Sequence, residues 1–379
     1  MKIGILFPLS KVYPGVGTGF MDGLQSYLRL KGIETAFSMN KEGIGFGADE
    51  KDIFKKAEKL LISDDVDVLV AYLDEKVLYL IYPLVQATGK LMIVVNPGAN
   101  YPLQWIPQPT VVKLNLQHAF LCWMSGALAA KKKAAQAALA TTYYDCGYLH
   151  AAAIVNKFME EGGVLKYNYI NNQFYDANFE INALLNFLDQ DPGCENLLCI
   201  FDEQPALLFY KLLSAYKRSN PLQLFVSPMM IQQKAKDKTG MAFPFTISGY
   251  LPWYEGIAND ANKLFLGSCS KAVSIFSLLG WEAGMVLAMI YTNSEKEAAN
   301  GEAVVASLLN NTIESPRGSL KLDPETLFYV APVYKYELNE GTTEAEITKI
   351  EDPSEQWRSF TSKPTEGHVT GWMNTYLCY

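Results

Sequence analysis

The sequence predicts an α/β protein made of two doubly wound lobes, and three observations support this. Short apolar runs rich in β-branched residues alternate with amphipathic segments, a polar loop follows each run, and the pattern starts again after residue 130. The clearest unit spans residues 66–102, where apolar runs at 66–71 and 91–95 flank a segment with helical spacing. Such β-α-β units form mostly parallel sheets that are flanked by helices.

The predicted elements of both lobes follow in chain order. After a strand at residues 2–7, the helix at 18–30 has Phe20, Leu24 and Leu28 on one face and ends at Gly32. The first lobe continues with a strand at 34–38, a helix at 52–62, the 66–102 unit and a strand at 111–114, and a helix at 117–130 follows. The second lobe has strands at 136–142, 164–170, 196–201, 224–226 and 243–250 and helices at 149–161, 178–188 and 205–216.

The chain after residue 250 is predicted to be helical first and extended later. Helices are expected at 254–264, 271–291 and 301–310, a hairpin around Pro324 at 320–323 and 326–330, and a last strand at 333–338. From residue 339 onward the polar composition predicts a mostly irregular segment. The most apolar window, 272–291, is interrupted by Glu282 and two glycines, so we interpret it as a core helix rather than a membrane span.

Length and charge limit the classes of function. With 379 residues the chain is long enough for two domains with separate cores. The formal net charge is -8 and the longest basic run is the lysine triplet at 131–133, so nucleic acid is not an expected partner. The chain leads directly into a strand, so the protein is either cytoplasmic or lost a leader peptide before residue 1.

Cysteine and histidine spacing predicts neither a metal site nor a cofactor. The six cysteines form no Cys-x-x-Cys pair, and His118, His150 and His368 are far apart. Two alternatives stay open for Cys194 and Cys199, which either form a disulfide or remain buried free thiols. The glycine cluster at 15–19 lacks dinucleotide-binding spacing and is interpreted as a flexible turn.

Catalytic signatures are absent from the sequence. It contains no Gly-x-Ser-x-Gly elbow, no phosphate-binding loop and no His-Glu-x-x-His motif, so no catalytic residue is predicted. An enzyme that uses Asp202 with Glu203, or His150, is the rival interpretation from another functional class.

Aromatic and acidic residues recur where predicted strands end. In an open parallel sheet ligands bind outside the carboxyl ends of the strands. Rings at these ends are Tyr13, Tyr72, Tyr144, Tyr148, Phe201, Trp253 and Tyr254, and carboxylates are Asp74, Glu75, Asp202 and Glu203. Rings with a few placed polar groups suit a small-molecule cleft, and the carboxylates suit a cationic group. Each ring can instead pack its loop, and each carboxylate can instead be a solvated or helix-terminal charge.

Four stretches resemble the type I periplasmic binding proteins, in the branched-chain amino acid (Leu/Ile/Val-type) substrate-binding branch of ABC transporters. Residues 2–10 are similar to the first strand and loop of that family, NPGAN at 96–100 to its Ser-Pro-Gly-Ala-Thr-type loop, and 144–148 to its hinge-side loop. SPRG at 315–318 followed by LDPET at 322–326 is the most specific match, and the resemblance covers about residues 2–338.

The resemblance implies a fold and a set of ligand contacts. It implies two Rossmann-like lobes joined by a three-segment hinge, with lobe 1 formed by 1–117 and 250–328 and lobe 2 by 118–249 and 329–379. A ligand would bind between the lobes, which close on it. The implied contacts are Glu75, Ala99, Asn100, Cys146 or Tyr148, Phe201 and Asp202; with the aromatic and acidic candidates Tyr13, Asp74, Tyr144 and Trp253 they form the predicted ligand site.

The expected function is that of a non-enzymatic solute-binding protein. The resemblance implies capture of a small amino-acid-like, polar or aromatic molecule for the permease of an ABC importer, in the periplasm or elsewhere outside the cytoplasm. A ligand-sensing receptor domain of the same fold is the alternative. Because Glu75 stands where the family often has a serine, we expect a ligand with a cationic or hydroxyl-rich end.

Overall fold

The predicted fold class is confirmed: two lobes contain mostly parallel sheets flanked by helices. The structure is a computed structural model that describes residues 1–11, 13–132, 135–172, 179–236, 242–294 and 300–363. Lys133, His368 and Cys378 lie outside the described residues, as does the Glu203 side chain. The strands are β1 Lys2–Phe7, β2 Ser38–Gly43, β3 Val68–Tyr72, β4 Leu91–Asn96, β5 Val111–Asn115, β6 Gln136–Thr142, β7 Val164–Asn171, β8 Asn196–Ile200, β9 Leu222–Val226, β10 Phe245–Leu251, β11 Thr312–Ser315, β12 Gly318–Leu322, β13 Tyr329–Val330, β14 Val333–Leu338 and β15 Glu346–Ile350.

Helices cover both large sheets. They are α1 Val16–Leu30, α2 Glu50–Glu58, α3 Glu75–Thr88, α4 His118–Ala130, α5 Leu149–Glu160, α6 Asn182–Gln190, α7 Glu203–Ala215, α8 Pro228–Lys236, α9 Asp260–Ser268, α10 Ile275–Ser294, α11 Gly301–Leu309 and α12 Ser354–Thr361. The first sheet has the order β2-β1-β3-β4-β5 and is parallel throughout. The second has the order β15-β14-β10-β9-β8-β6-β7, with antiparallel pairing only at β14 and β15. The strand order places the loops after β1, β3 and β4 at one edge of the first sheet, and the loops after β6, β8 and β9 at the corresponding edge of the second.

The chain passes from the first large sheet to the second after β5. After β10 it leaves the second sheet, forms the separate antiparallel sheet in which β13 pairs with β12, and returns to the second sheet at β14. This pairing confirms the predicted hairpin around Pro324, with Lys321 opposite Val330.

Helix α10 packs so closely on α1 that glycines are needed at the crossing. A Cβ atom added to Gly280 would lie 1.9 Å from the Phe20 carbonyl oxygen, and one added to Gly23 would lie 1.9 Å from the Ser277 carbonyl oxygen. Within the described residues, Ile275–Thr292 is long and apolar enough to cross a membrane, yet 78% of it is buried inside the protein. The interpretation of this segment as a core helix is therefore confirmed.

Several segments differ from the sequence prediction, among them the helix expected at 254–264, which lies at Asp260–Ser268. The strand predicted at 34–38 is a 3-10 turn at Glu34–Ala36, and β2 begins only at Ser38. The segment after 339, predicted to be irregular, contains β15 and α12. Strands β2 and β15 lie at sheet edges and bury few side chains, so they lack the apolar pattern that identifies a central strand. Helix α8 was also not predicted.

The last helix closes an aromatic cluster between distant segments. The Phe360 ring of α12 lies 5.1 Å from Tyr101, 5.5 Å from Trp105 and 5.6 Å from Phe120, measured between centroids. Trp357 contacts the same Trp105 and Phe120 rings. Because Phe120 belongs to α4 and Tyr101 and Trp105 follow β4, α12 packs against both the segment after the first sheet and the helix α4.

Candidate functional site

The loops that follow the strands of the two sheets meet directly. The Tyr13 hydroxyl donates a hydrogen bond of 3.0 Å to Asp202 Oδ2. Tyr13 lies in the loop after β1, and Asp202 is the second residue after β8. Both residues are buried, with 5% and 8% of their surface exposed. A tyrosine of one lobe and a carboxylate of the other therefore form a contact across the cleft.

The loop at 97–100 supplies hydrogen-bond acceptors to the first turns of two helices. Its carbonyl oxygens at Pro97, Gly98 and Ala99 accept from the backbone N–H groups of residues 118, 119 and 150 at 3.2, 2.8 and 2.8 Å. The Asn100 side-chain oxygen accepts from the Leu149 N–H at 3.0 Å. These N–H groups at the start of α4 and α5 have no partner inside their helices. The loop after β4 thus caps α4 and α5.

Close approach explains the glycine in this loop. Gly98 has a φ of +80°, in the left-handed region, and a Cβ there would lie 2.8 Å from the Gln117 nitrogen. Only glycine combines that backbone conformation with that distance. The NPGAN segment is therefore shaped to bring its carbonyl oxygens onto the two helix ends.

Asn100 also joins the cap to a buried carboxylate. Its Nδ2 donates to Asp74 Oδ2 at 2.9 Å, and Asp74 is 1% exposed. The neighbouring Glu75 is oriented differently, because its carboxylate forms an ion pair of 2.9 Å with Lys113, whose ammonium also lies 4.8 Å from the Phe328 ring centroid. The negative charge of Glu75 is therefore compensated within the structure.

Two carboxylates of the second sheet lie close together. Asp145 is 2% exposed, and its Oδ2 accepts from the Thr142 hydroxyl at 2.7 Å. Burial, and then the charge of Asp202, raise the pKa of the Asp145 carboxyl well above its ordinary value. The pair therefore resists carrying two negative charges.

The two described histidines are held neutral. Burial lowers the pKa of His118 to about 3 and that of His150 to about 4. The His150 Nε2 lies 3.1 Å from the Asp145 carbonyl oxygen. At neutral pH neither ring supplies positive charge to the cleft.

A cavity of about 310 Å³ opens beside Tyr13. Its described walls come from the loop after β1, from α8, from the passage after β10 and from the start of α10. They are Tyr13, Met229, Gln232, Trp253, Tyr254, Glu255, Gly256, Val273, Ser274, Ile275 and Phe276. The Tyr13 and Phe276 rings meet edge to face with centroids 5.6 Å apart. This volume is at the small end of the range for ligand sites.

The predicted site residues fall into two groups. The structure brings together at the cleft Tyr13, Asp74, Ala99, Asn100, Asp202 and Trp253, whereas the Tyr148 ring packs against His150 with centroids 5.7 Å apart. The Phe201 ring is fully buried and stacks on Phe209 at 4.5 Å, so it packs the second lobe. The Cys146 thiol donates to the Tyr143 carbonyl oxygen at 3.1 Å, and the Tyr144 ring lies against Tyr143.

Several cleft residues were not predicted. Asp145 lies in a loop that the sequence analysis examined, but its burial beside Asp202 depends on the fold. Met229 and Gln232 belong to the unpredicted α8. Pro228 at the first position of that helix was an available signal. Cys194 and Cys199 are free thiols, and the described residues contain no group of three side chains able to hold a metal ion.

Known proteins resemble this chain over nearly its whole length. A family model described as periplasmic binding protein matches residues 1–343, while no curated protein matches. A solute-binding protein of an ABC transporter from R. palustris, in complex with benzoate, is 20% identical; the match covers 93% of this chain and 97% of that chain, with a TM-score of 0.68. An ABC transporter substrate-binding protein from Sphaerobacter thermophilus is 14% identical, with 93% and 98% covered and a TM-score of 0.74.

The structure of a leucine binding protein from Thermotoga maritima is about as similar to this chain as the two structures above. It is 14% identical, with 94% of this chain and 99% of that chain covered and a TM-score of 0.66. At these identities the likeness to solved structures establishes the two-lobed fold. The family model, which spans most of the sequence, establishes more: the chain belongs to the periplasmic binding protein family and is a solute-binding protein.

Proposed function

We propose that this protein captures a small molecule between its lobes, outside the cytoplasm, and delivers it unchanged to the permease of an ABC importer. The observation that carries the proposal is the contact across the cleft, where the Tyr13 hydroxyl bonds Asp202 beside a cavity of about 310 Å³. The ABC transporter proteins of R. palustris and Sphaerobacter thermophilus with the same fold support the transport role.

We propose the lobe boundaries that the sequence suggested, with one adjustment. The suggested division gives 1–117 and 250–328 to lobe 1, and 118–249 and 329–379 to lobe 2. Because β10 extends to Leu251 and pairs within the second sheet, we assign residues 250 and 251 to lobe 2 instead. The membership of β1–β5 in one sheet and β6–β10 in the other supports this division.

Lobe closure would assemble the contacts at the loop 97–100. In our proposal the carbonyl oxygens of this loop and the Asn100 side chain belong to lobe 1, whereas α4 and α5 belong to lobe 2. Separation of these groups would return four backbone N–H groups to water, so the caps favour the closed arrangement. A ligand that contacts both lobes would add to this preference.

A place in the branched-chain amino acid branch is part of the proposal. The fold shared with the Thermotoga maritima leucine binding protein supports it, while the R. palustris relative is a complex with benzoate. Membership of that branch does not specify the ligand. We also propose that the protein is not an enzyme, because buried His118 and His150 are neutral and engaged in the cleft wall rather than exposed to a substrate.

The test is a thermal-shift screen of the purified protein against amino acids, amines, sugars and aromatic acids, followed by small-angle X-ray scattering. A ligand at a hundred times its Kd adds about 2.7 kcal/mol to the free energy of unfolding, and closure lowers the radius of gyration. The half-buried Val273 lines the cavity, so Val273→Phe should abolish the shift. Val304→Phe, at a half-buried position in α11, is the matched control.

Mass spectrometry of the ligand after incubation separates binding from catalysis. Recovery of the unchanged ligand agrees with the proposal. Turnover of the same molecule that stabilises the protein would contradict the non-enzymatic role, and silence across the whole panel would contradict small-molecule capture.

A further inference from the structure

Negative groups are concentrated where the two lobes meet. Asp74, Asp145 and Asp202 each follow a strand of one of the sheets and are 1%, 2% and 8% exposed. Hydrogen bonds connect Asp74 to the cap at Asn100 and connect Asp202 to Tyr13 at the cavity wall. Because Asp145 and Asp202 resist carrying two negative charges, an anionic group would be repelled from this region, whereas a cation would stabilise the charged form of these carboxyl groups.

The buried cationic side chains Lys113 and Arg317 form ion pairs within the protein. Among the described residues that line the cavity, the single charged side chain is Glu255. The ion-pair partners of Lys113 and Arg317 are Glu75 and Glu282. Since His118 and His150 are neutral, the described walls offer no cationic side chain to a carboxylate ligand.

The cavity itself suits a flat apolar body. Tyr13, Trp253, Tyr254 and Phe276 contribute ring surface, and Met229 adds a flexible apolar side chain. Ring faces also attract cations, most strongly where water is excluded. A molecule with an aromatic ring at one end and an ammonium at the other would match both the rings and the carboxylates.

Polar atoms without described partners lie beside this region. The Ser227 hydroxyl follows β9, is 1% exposed and has no hydrogen-bond partner among the described residues. The fully buried Tyr72 hydroxyl, at the end of β3 and near enough to Asp74 to be affected by its charge, likewise has none. On the cavity wall, the Gln232 Nε2 is buried and has no acceptor within the part of the chain that the structure describes. Such groups are costly unless a ligand or water completes their hydrogen bonds.

Resting on the proposed function, we propose that the ligand is an aromatic amine, with its ring in the cavity beside Tyr13 and its ammonium directed to Asp202 and Asp145. An oxygen substituent on the ring would accept from Gln232 Nε2. A metal ion does not satisfy the same groups, because the described side chains include no set of three able to hold one.

The experiment compares two probes that differ only in the charged group at one end. Tyramine and 3-(4-hydroxyphenyl)propionate share the hydroxyphenyl ring and the two-carbon chain and end in an ammonium and a carboxylate. Isothermal titration calorimetry on the full chain at neutral pH should give a Kd for tyramine at least tenfold lower. The ratio between the two Kd values should decrease in high salt, since screening weakens the charge interaction.

Two variants locate the charge interaction. Asp202→Asn should weaken tyramine binding at least tenfold and leave the propionate unchanged or slightly tighter. Glu255 is exposed at the cavity wall, so Glu255→Gln preserves folding and should weaken tyramine binding two- to threefold. Glu314→Gln, an exposed carboxylate on β11, is the matched control and should change neither affinity.

The outcomes separate this inference from the proposed function. Equal or tighter binding of the propionate overturns the amine class and leaves solute capture intact. If neither probe binds and the wider screen gives a neutral or acidic ligand, the amine class is likewise overturned and solute capture stays intact. Tyramine binding that is insensitive to both Asp202→Asn and Glu255→Gln overturns the assigned position of the ammonium.

Discussion

Arg317 binds Glu282 through two parallel charge-assisted hydrogen bonds, from Nε to Oε1 at 2.8 Å and from Nη2 to Oε2 at 3.0 Å. Each side chain is 1% exposed. Arg317 lies in the turn between β11 and β12, and its carbonyl oxygen accepts from the Tyr334 hydroxyl of β14 at 3.0 Å. The pair therefore joins the core helix α10 to a turn that contacts the second sheet.

Removal of the arginine should strongly destabilise the protein. Arg317→Met leaves a buried unpaired carboxylate, and we expect a loss of about 3–5 kcal/mol in the free energy of unfolding, measured by urea denaturation. Arg29→Ala is the control, because the Arg29–Glu34 pair is exposed and should contribute at most about 1 kcal/mol. Similar losses for the two variants would contradict a structural role for the buried pair.

The crossing of α1 and α10 gives a second prediction. Gly280→Ala places a Cβ against the Phe20 carbonyl oxygen, so the helices must separate, and we expect a loss of about 1–3 kcal/mol. Gly267→Ala, in the exposed helix α9, meets no atom within 4 Å and should stabilise by up to about 1 kcal/mol through helix propensity. Thermal unfolding of both variants checks the prediction, which fails if their Tm values shift in the same direction.

The Asn100 side chain should contribute to the stability of the ligand-free protein as well as to the proposed site. Asn100→Ala removes the acceptor for the Leu149 N–H and the donor to Asp74, and we expect a loss of about 1–3 kcal/mol. Asn310→Ala removes one exposed side-chain bond at the end of α11 and should cost much less. Urea denaturation of the ligand-free variants measures both costs. Equal stability of Asn100→Ala and the parent protein would contradict the capping role.

The pH dependence of stability should reveal the buried His150. Its pKa falls from 6.5 to about 4 on folding because of burial, so the unfolded chain takes up the proton first. Stability is therefore full above pH 6.5 and decreases as the pH falls towards 4. His150→Gln should make the slope of unfolding free energy against pH shallower, by up to about 1.4 kcal/mol per pH unit. Asp145, whose raised pKa acts in the opposite direction, is present in both proteins; an unchanged slope would contradict the neutral buried ring.

The local pattern of apolar and turn-forming residues was enough to identify most helices and strands, and with them the loops at the carboxyl ends of the strands where the candidate site lies. Strands such as β6 and β14 match the predicted 136–142 and 333–338 ranges, because short segments rich in residues that favour strands lie between turn-forming residues. The loops after the strands were therefore identifiable, and the order of short motifs resembled the correct family.

The local pattern could not predict which residues far apart in the chain contact one another. Tyr13 and Asp202 are 189 positions apart, and nothing local couples them. The ion pair of Glu75 with Lys113, the caps formed by the loop 97–100 and the closing of the aromatic cluster by α12 likewise arise when separate segments are packed together. Hydrophobic periodicity reports which face of an element is buried, but not which residue lies opposite it. The chemistry of the cleft depends on those opposite residues and therefore emerges only from the packed fold.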